Sequence, residues 1–253
     1  MIWKRVRLAI VIVVITGSTG LFLWMLANRP DPGSIPFDEW YGNWRGVLLA
    51  TGLFTLFLLG FARPRRRIEW RNAGLYTAFL LSLFAEMFGF PLTIFLIAPL
   101  LGLSPRAFGL GESHFWAYLL DRLGLVSLPL GVYLVMVVSV GLIGAGVSVV
   151  AMGWHRIYRG KGELVADGIY RYLRHPQYLG LILIVLAFNI QWPTLPTLVM
   201  APVLIVMYVR LARWEDKELA AFFGEAFLDY AARTPAFIPR GRGRPPRGVR
   251  GRP

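Results

Sequence analysis

The chain has 253 residues, of which 56% are hydrophobic and only 16% are charged, and its mean hydropathy is +0.56. Soluble domains are about 25% charged, so this composition excludes an ordinary soluble domain and indicates a polytopic membrane protein. Lys and Arg number 27 against 14 Asp and Glu, which gives a formal net charge of +13, and the chain has no cysteine. Disulfides, thiolate nucleophiles and sulfur-ligated metals are therefore excluded.

Apolar runs long enough to cross a bilayer recur along the chain and predict an all-α fold, a polytopic membrane bundle of about six transmembrane helices. The first run has a basic start but stays apolar beyond a possible cleavage region, which predicts a retained span rather than a signal peptide. The fifth and sixth runs are short and predict a helical hairpin. The six runs lie near residues 6–27, 45–62, 73–101, 129–153, 179–192 and 194–212.

The third run is too long for one straight span and contains Pro91. Because proline removes a backbone donor and clashes with the preceding turn, the sequence predicts a kink or a break there. One kinked span and a re-entrant pair both remain open. Glu86 lies within the same run, and a carboxylate at that depth faces a cavity or a partner. We predict either a place in a substrate channel or pairing with a polar neighbour.

Basic residues cluster before the first run, between runs two and three, between runs four and five, and in the tail. The positive-inside rule places all these clusters on one side, so both termini are predicted to be cytoplasmic. The net charge then reflects orientation and attraction of this face to anionic membrane lipids, and no nucleic acid partner is predicted. The tail, residues 240–253, contains only Gly, Arg, Pro and Val and is predicted to be disordered.

A polar, basic and aromatic segment, Gly168–Gly180, separates the fourth and fifth runs. Arg174 and His175 offer donors that suit a carboxylate or a phosphate. Pro176 can begin a helix whose first amides favour an anion, and the tyrosines at 170, 172 and 178 offer aromatic walls. The alternative is an interfacial belt of Tyr and Arg at headgroup level.

A second polar segment begins where the sixth run ends. Arg210 and Glu215 bracket the membrane exit, and Glu215 and Glu218 share one helical face because they are three residues apart. The alternative is an amphipathic surface helix with its charges in water. Since a hairpin returns the chain to the same side, we expect the two polar segments to meet. Three scattered histidines and no cysteine predict no metal site.

Four elements of this region together resemble the isoprenylcysteine carboxyl methyltransferase family and the related phospholipid methyltransferases. They are G-I-Y-R-Y-L-R-H-P-Q-Y-L-G, R-x4-E-D-x-x-L, F-G-x-x-F-x-x-Y and P-x-F-I-P, within about residues 160–239. The resemblance implies an integral membrane methyltransferase that binds S-adenosyl-L-methionine in a cytoplasmic pocket formed by the C-terminal segments. It also implies a lipophilic methyl acceptor that approaches from within the bilayer, and it leaves the identity of that acceptor open.

The resemblance further implies site residues. Arg210 and Glu215 match a catalytic pair, and Asp216 and Phe227 are departures from the family pattern, where glutamate and tyrosine are common. We divide the chain into residues 1–128 with the first three helices, residues 129–239 as the methyltransferase core, and residues 240–253 as the tail. The predicted cofactor-binding residues are Tyr170, Arg174, His175, Pro176, Tyr178, Gly180, Glu218 and Tyr230.

Two other functions compete with this interpretation. Membrane sterol reductases resemble the C-terminal arrangement, and in an NADPH-dependent enzyme of that type the basic segment would hold a dinucleotide phosphate. The spacing of Arg210 and Glu215 and the F-G-x-x-F-x-x-Y element favour the methyltransferase. The second competitor is a non-catalytic membrane protein that binds lipid through its basic face.

Overall fold

The computed structural model describes residues 41–62, 67–102, 114–160 and 162–239, without the side chains of residues 61–69. Helices dominate these ranges and no strand occurs in them, so the predicted all-α class is confirmed. The span predicted near residues 6–27 and the tail at 240–253 lie outside the described residues.

Eight α-helices and three shorter helical turns follow one another in the described ranges. A π-helical turn spans Ala85–Gly89, and two 3-10 turns span Ala98–Leu101 and Gly168–Arg171. The α-helices are α1 (Trp44–Ala62), α2 (Arg67–Phe84), α3 (Leu92–Ile97), α4 (Phe115–Arg122), α5 (Leu128–Arg159), α6 (Pro176–Gln191), α7 (Leu195–Phe223) and α8 (Glu225–Arg233).

Two of the described helices, α5 and α7, are long and apolar enough to cross a membrane. A bent pair, Trp70–Gly89 with Leu92–Leu101, would make a third span if both parts belong to one crossing. The apolar stretch Trp44–Gly60 and helix α6 are shorter than the roughly 20 residues that a straight crossing requires. The length and apolar composition of these helices indicate a membrane protein. The count of six spans stays a prediction.

The break predicted in the third run is confirmed. The chain turns by 68° between Gly89 and Leu92, and Pro91 is the residue that precedes α3. Glu86 lies in the π-helical turn, and its Oε2 accepts a hydrogen bond of 2.8 Å from the backbone N–H of Thr93. The carboxylate therefore joins the two sides of the break, which is the polar pairing that we considered for it.

The hairpin predicted for the last two runs is also present. Helix α6 ends at Gln191 and α7 begins at Leu195. Thr194 and Thr197 stabilise the turn, because their hydroxyl oxygens lie 2.9 Å apart and the Thr194 N–H donates to the Thr197 hydroxyl at 3.1 Å. Helix α7 continues to Phe223, well beyond the run predicted to end at residue 212, so Glu215 is part of one uninterrupted helix.

The described residues form two compact units. The first contains those up to Gly144 together with Leu186–Pro202, and the second contains those in Ala145–Val185 together with those from Val203 onward. The first unit contains an aromatic cluster, in which the Phe188 ring lies 5.4 Å from that of Phe54 and 5.8 Å from that of Phe84. The second unit contains both polar segments. The domain boundaries predicted at residues 128 and 239 stay a prediction.

Within the second unit, α5 and α6 approach through two glycines. A Cβ atom at Gly146 would lie 2.7 Å from the carbonyl oxygen of Gly180, and one at Gly180 would lie 2.6 Å from the carbonyl oxygen of Gly146. Seven residues along α5, a Cβ at Gly153 would lie 3.1 Å from the Pro176 ring. Only residues without a Cβ permit this separation, and the contact fixes the first turns of α6 against α5.

Replacement of Gly146 by alanine should destabilise the protein, because the new methyl group meets a backbone atom that cannot move alone. Overpacking of this kind costs about 1–3 kcal/mol. The measurement is the thermal unfolding midpoint of the detergent-purified protein. Gly144→Ala is the matched control, since a Cβ at Gly144 meets nothing within 4 Å. Equal midpoints for the two variants would contradict the close contact.

Candidate active site

His175 lies at the centre of a polar cluster in the second unit. It immediately precedes α6 and is 1% exposed. Its Nε2 lies 2.8 Å from Oδ1 of Asp216, and its Nδ1 lies 3.4 Å from Oε2 of Glu215. Since each ring nitrogen faces a carboxylate oxygen, the arrangement favours the imidazolium form. Burial lowers the pKa of His175, but the hydrogen bonds and charges of the two carboxylates outweigh burial and raise the pKa above its ordinary value.

Arg174 joins three parts of the chain through its guanidinium group. Its Nη2 and Nε donate to the two carboxylate oxygens of Asp216, at 2.8 and 3.3 Å. Its Nη1 donates to the carbonyl oxygens of Ala231, at 2.9 Å, and Thr234, at 2.6 Å. A bidentate contact to a carboxylate is the strongest use of arginine. One side chain therefore joins the start of α6, the C-terminal part of α7 and the end of α8.

The segment after α8, residues 234–237, lies against the start of α6. The backbone N–H of Arg174 donates to the carbonyl oxygen of Pro235 at 2.9 Å, and that of His175 donates to the carbonyl oxygen of Ala236 at 3.1 Å. The Phe237 ring then lies 5.9 Å from the His175 ring. These contacts bring the P-x-F-I-P element beside the histidine.

Four aromatic rings of the cluster are in pairwise contact. The His175 ring lies 5.9 Å from that of Phe237 and 5.8 Å from that of Tyr178, to which it is nearly parallel. Tyr208 of α7 stacks on Tyr178, with ring centroids 5.9 Å apart. Tyr178 therefore contacts rings from both α7 and the segment before α6.

Glu215 is held by Tyr178, whose hydroxyl donates to Oε1 at 2.6 Å. The side chains of the cluster differ in exposure, which is 30% for Glu215, 22% for Asp216, 16% for Arg174 and 1% for His175. Glu215 is therefore the most accessible member of the cluster, and His175 is the least accessible.

Two further tyrosines, Tyr170 and Tyr230, make hydrogen bonds next to this cluster. The buried Tyr170 donates its hydroxyl to Oε1 of Gln177 at 3.0 Å, and the Tyr230 hydroxyl donates to the carbonyl oxygen of Tyr170 at 2.7 Å. Burial is the main cause that raises the pKa of both phenols, so each remains a neutral hydrogen-bond donor. The hydrogen bond of Tyr230 holds the 3-10 turn that contains Tyr170 against α8.

The structure brings together several of the residues predicted from the sequence and leaves others apart. Arg174 and His175 are hydrogen-bonded to Asp216, and Tyr178 is hydrogen-bonded to Glu215. The 3.4 Å contact between His175 and Glu215 joins the two sets. Pro176 begins α6, and Gly180 contacts α5, so its position is explained by helix packing. Glu218, one turn beyond Glu215, is half-buried.

Arg210 is exposed and has no hydrogen bond or ion pair to any residue that the structure describes. It lies on α7 five residues before Glu215, which rotates the two side chains apart by about 140°. The structure therefore does not show the predicted pair of Arg210 with Glu215. Glu86 lies in the first compact unit, and its place in a substrate channel stays a prediction.

Sequence reasoning gave no site role to Asp216, Tyr208 or Phe237. Asp216 was noted only as a departure from a family pattern, although it bonds both Arg174 and His175. Tyr208 precedes Glu215 by seven residues, or two helical turns, and this spacing could have placed both on one face. The position of Phe237 depends on the path of the chain after α8, which no local pattern indicates. Among the described residues, no group of three or more His, Asp or Glu could hold a metal ion.

Comparison with known proteins supports the resemblance. Residues 123–226 match the family model described as phospholipid methyltransferase. A cobalt-zinc-cadmium resistance protein of Cupriavidus metallidurans is 36% identical over 109 residues, which are 42% of this chain and 50% of that protein. The protein-S-isoprenylcysteine O-methyltransferase of Schizosaccharomyces pombe is 34% identical over 77 residues, which are 30% of this chain and 33% of that enzyme.

A nickel-cobalt-cadmium resistance protein of Alcaligenes xylosoxydans xylosoxydans is 34% identical over 106 residues, which are 40% of this chain and 49% of that protein. The chain thus spans about half the length, or less, of these curated relatives. No solved structure matches it. The matched regions confirm the resemblance to phospholipid and isoprenylcysteine methyltransferases for this part of the chain.

The raised pKa of His175 predicts a pH-dependent stability. A group whose folded pKa is raised contributes stability that is complete below its ordinary pKa, here 6.5, and is lost as pH rises through the folded value. The thermal midpoint of the wild-type protein should therefore fall as pH increases above about 6.5. His175→Gln should have a lower midpoint at pH 6 and a weaker dependence on pH in this window. Parallel pH profiles for the two proteins would show that the imidazolium is not stabilised by the cluster.

Proposed function

We propose that this chain is an S-adenosyl-L-methionine-dependent membrane methyltransferase that acts on a lipophilic acceptor. The observation that carries the proposal is the contact between the two polar segments: His175 and Tyr178 both meet Glu215. The same two segments contain the motifs of the methyltransferase resemblance. We further propose that the cluster faces the cytoplasm, in agreement with the positions of the basic loops.

The residues of the cluster fit the cofactor through its cationic groups. S-Adenosyl-L-methionine supplies an electrophilic methyl group on a sulfonium, and it also carries an ammonium group. Glu215 and Asp216 present partly exposed carboxylates beside aromatic rings, a combination that suits cations. We therefore propose that Glu215 and Tyr178 contact the cationic part of the cofactor, while His175 and Asp216 hold Glu215 in place.

Arg174 has a different proposed role from the one inferred from its residue type. Because its guanidinium already binds Asp216 and the carbonyl oxygens of Ala231 and Thr234, most of its donors are engaged. We propose that Arg174 positions Asp216 and residues 234–237. The proposed catalytic work of the chain is alignment and exclusion of water, which contribute much of the rate when a reactant is held in place.

Glu215 can also accept a proton from an acceptor that loses one on methylation. Its Oε1 is bonded to Tyr178, and its Oε2 lies 3.4 Å from Nδ1 of His175, whose pKa the two carboxylates raise. A carboxylate acceptor would lose no proton, and Glu215 would then contribute charge and alignment only. The role of Arg210 as the partner of Glu215 stays a prediction.

The acceptor is proposed to be an amphiphile. One relative is named for isoprenylcysteine, and the matching family model is named for phospholipids, so both names refer to molecules with a long apolar part. The candidate membrane helices α5 and α7 each contribute to the second unit. We propose that the acceptor reaches Glu215 from the bilayer.

The reductase alternative receives less support from the same cluster. Within the cluster, the guanidinium of Arg174 is bonded to Asp216, and Arg156 is bonded to Asp167, so neither is a free cation for a dinucleotide phosphate. The partly exposed carboxylates of Glu215 and Asp216 lie at the same place and repel phosphate. The geometry therefore favours a cationic cofactor over NADPH.

S-Adenosylhomocysteine should raise the thermal unfolding midpoint of the purified protein, because it binds the folded state, and NADPH should leave the midpoint unchanged. A ligand at 100 times its Kd stabilises by about 2.7 kcal/mol. The reverse pattern would establish the reductase alternative. No response to either ligand would favour the non-catalytic lipid-binding alternative.

Glu215→Gln should lower methyl transfer from labelled S-adenosyl-L-methionine to a lipid extract by about 100-fold or more, the usual contribution of an acid–base group. The amide keeps the shape of the side chain and removes the charge beside His175. Glu225→Gln is the matched control, because Glu225 is exposed on α8. If both variants transfer methyl groups at the wild-type rate, Glu215 has no part in the reaction.

A further inference from the structure

Helix α7 is longer than a bilayer crossing and changes in chemistry along its length. Its 29 residues extend about 43 Å, whereas the hydrocarbon core of a bilayer is about 30 Å thick. The stretch from Leu195 to Val209 has no charged residue, and Arg210, Arg213 and Lys217 follow. Arg210 and Lys217 are separated by about 10 Å along the helix axis. The cations therefore begin where the apolar part ends and extend through a depth comparable with a headgroup layer.

These three cations lie on one face of α7. Their spacing of three and four residues keeps them within a narrow stripe, and all three are exposed. None has a hydrogen bond or an ion pair to another described residue. The carboxylates of the same helix turn, Glu215 and Asp216, are held by Tyr178, His175 and Arg174 and do not neutralise the stripe.

The same stripe continues as an apolar surface toward the start of the helix. Val203 and Val206 precede Arg210 by seven and four residues, so they lie on the same face, and they are 48% and 49% exposed. Within the second unit, one face of α7 thus presents valine side chains and then, about one turn after Val206, guanidinium and ammonium groups. This order reproduces the order of tail and headgroup in a phospholipid.

We propose that this face of α7, defined by Val203, Val206, Arg210, Arg213 and Lys217, binds an anionic phospholipid. The acyl chain lies along the valines, and the phosphate is bound by the three cations. Arginine and lysine both bind phosphate, the former with a planar fork of donors, and anionic lipids attract basic residues near a membrane surface. Free phosphate would use the cations alone and would leave the exposed valines unexplained.

The three cations also determine how deep Glu215 lies in the membrane. This part of the inference rests on the proposed function, because it takes Glu215 as the place of methyl transfer. Glu215 lies between Arg213 and Lys217 along α7 and points to the opposite side. When the cations bind phosphate groups, Glu215 lies at the same depth in the membrane. The acceptor would then present its reacting atom at headgroup level, with its apolar part in the bilayer.

The test compares the thermal unfolding midpoint of detergent-purified protein with added phosphatidylglycerol, phosphatidylcholine or inorganic phosphate. For the wild type, phosphatidylglycerol should give the largest upward shift and inorganic phosphate none. Arg213→Gln combined with Lys217→Gln should lose the advantage of phosphatidylglycerol. Arg159→Gln combined with Arg233→Gln, which removes two exposed cations outside the stripe, should retain it.

A full phosphatidylglycerol response in the Arg213→Gln, Lys217→Gln variant would overturn the proposal, and so would an equal response of the wild type to inorganic phosphate. If the Arg213→Gln, Lys217→Gln variant does not fold, a second measurement tests the proposal without it. Because the chain has no cysteine, a spin label at Lys217→Cys reports the depth of that single position in a bilayer. Accessibility typical of the headgroup layer is expected, and full accessibility to water would overturn the proposal. Methyl transfer is not needed in either experiment, so a failure here is distinct from a failure of the proposed function.

Discussion

The ion cluster of Arg174, Asp216 and His175 is the interaction on which the rest of the second unit depends. Removing one partner from a partly buried set of charges leaves the others without compensation, which destabilises far more than loss of an exposed pair. In this protein the same set of bonds joins α6, α7 and the segment after α8. The interactions that hold these helices together are therefore also those that surround the candidate active site, where His175 contacts Glu215.

Much of this arrangement could be predicted from the sequence because the signals are local. Apolar runs indicated the all-α membrane class, Pro91 indicated the break that the structure contains, and the short loop near Thr194 indicated the hairpin. The hairpin in turn predicted that residues near His175 and Glu215 would meet, and their side chains lie 3.4 Å apart.

What the sequence could not predict depends on contacts between distant residues. The residue type of Arg174 indicates a donor, but its acceptors include backbone carbonyls of Ala231 and Thr234, which no motif identifies. The hydrogen bonds of Arg174 to Asp216 and to these carbonyls could therefore not be predicted from its residue type, and its role in cofactor binding stays a prediction. Five residues on a helix place two side chains on different faces, so the spacing of Arg210 and Glu215 does not by itself bring their side chains together, and their joint catalytic role stays a prediction.

The glycine contact between α5 and α6 limits how this protein can change over evolutionary time. In an ordinary core, growth of one side chain can be offset by loss of volume in its neighbour. Gly146 and Gly180 touch through their backbones, and neither has any volume left to give up. A larger residue at either site cannot be compensated by a smaller residue at the other. We therefore expect both positions to remain glycine while the surrounding residues change.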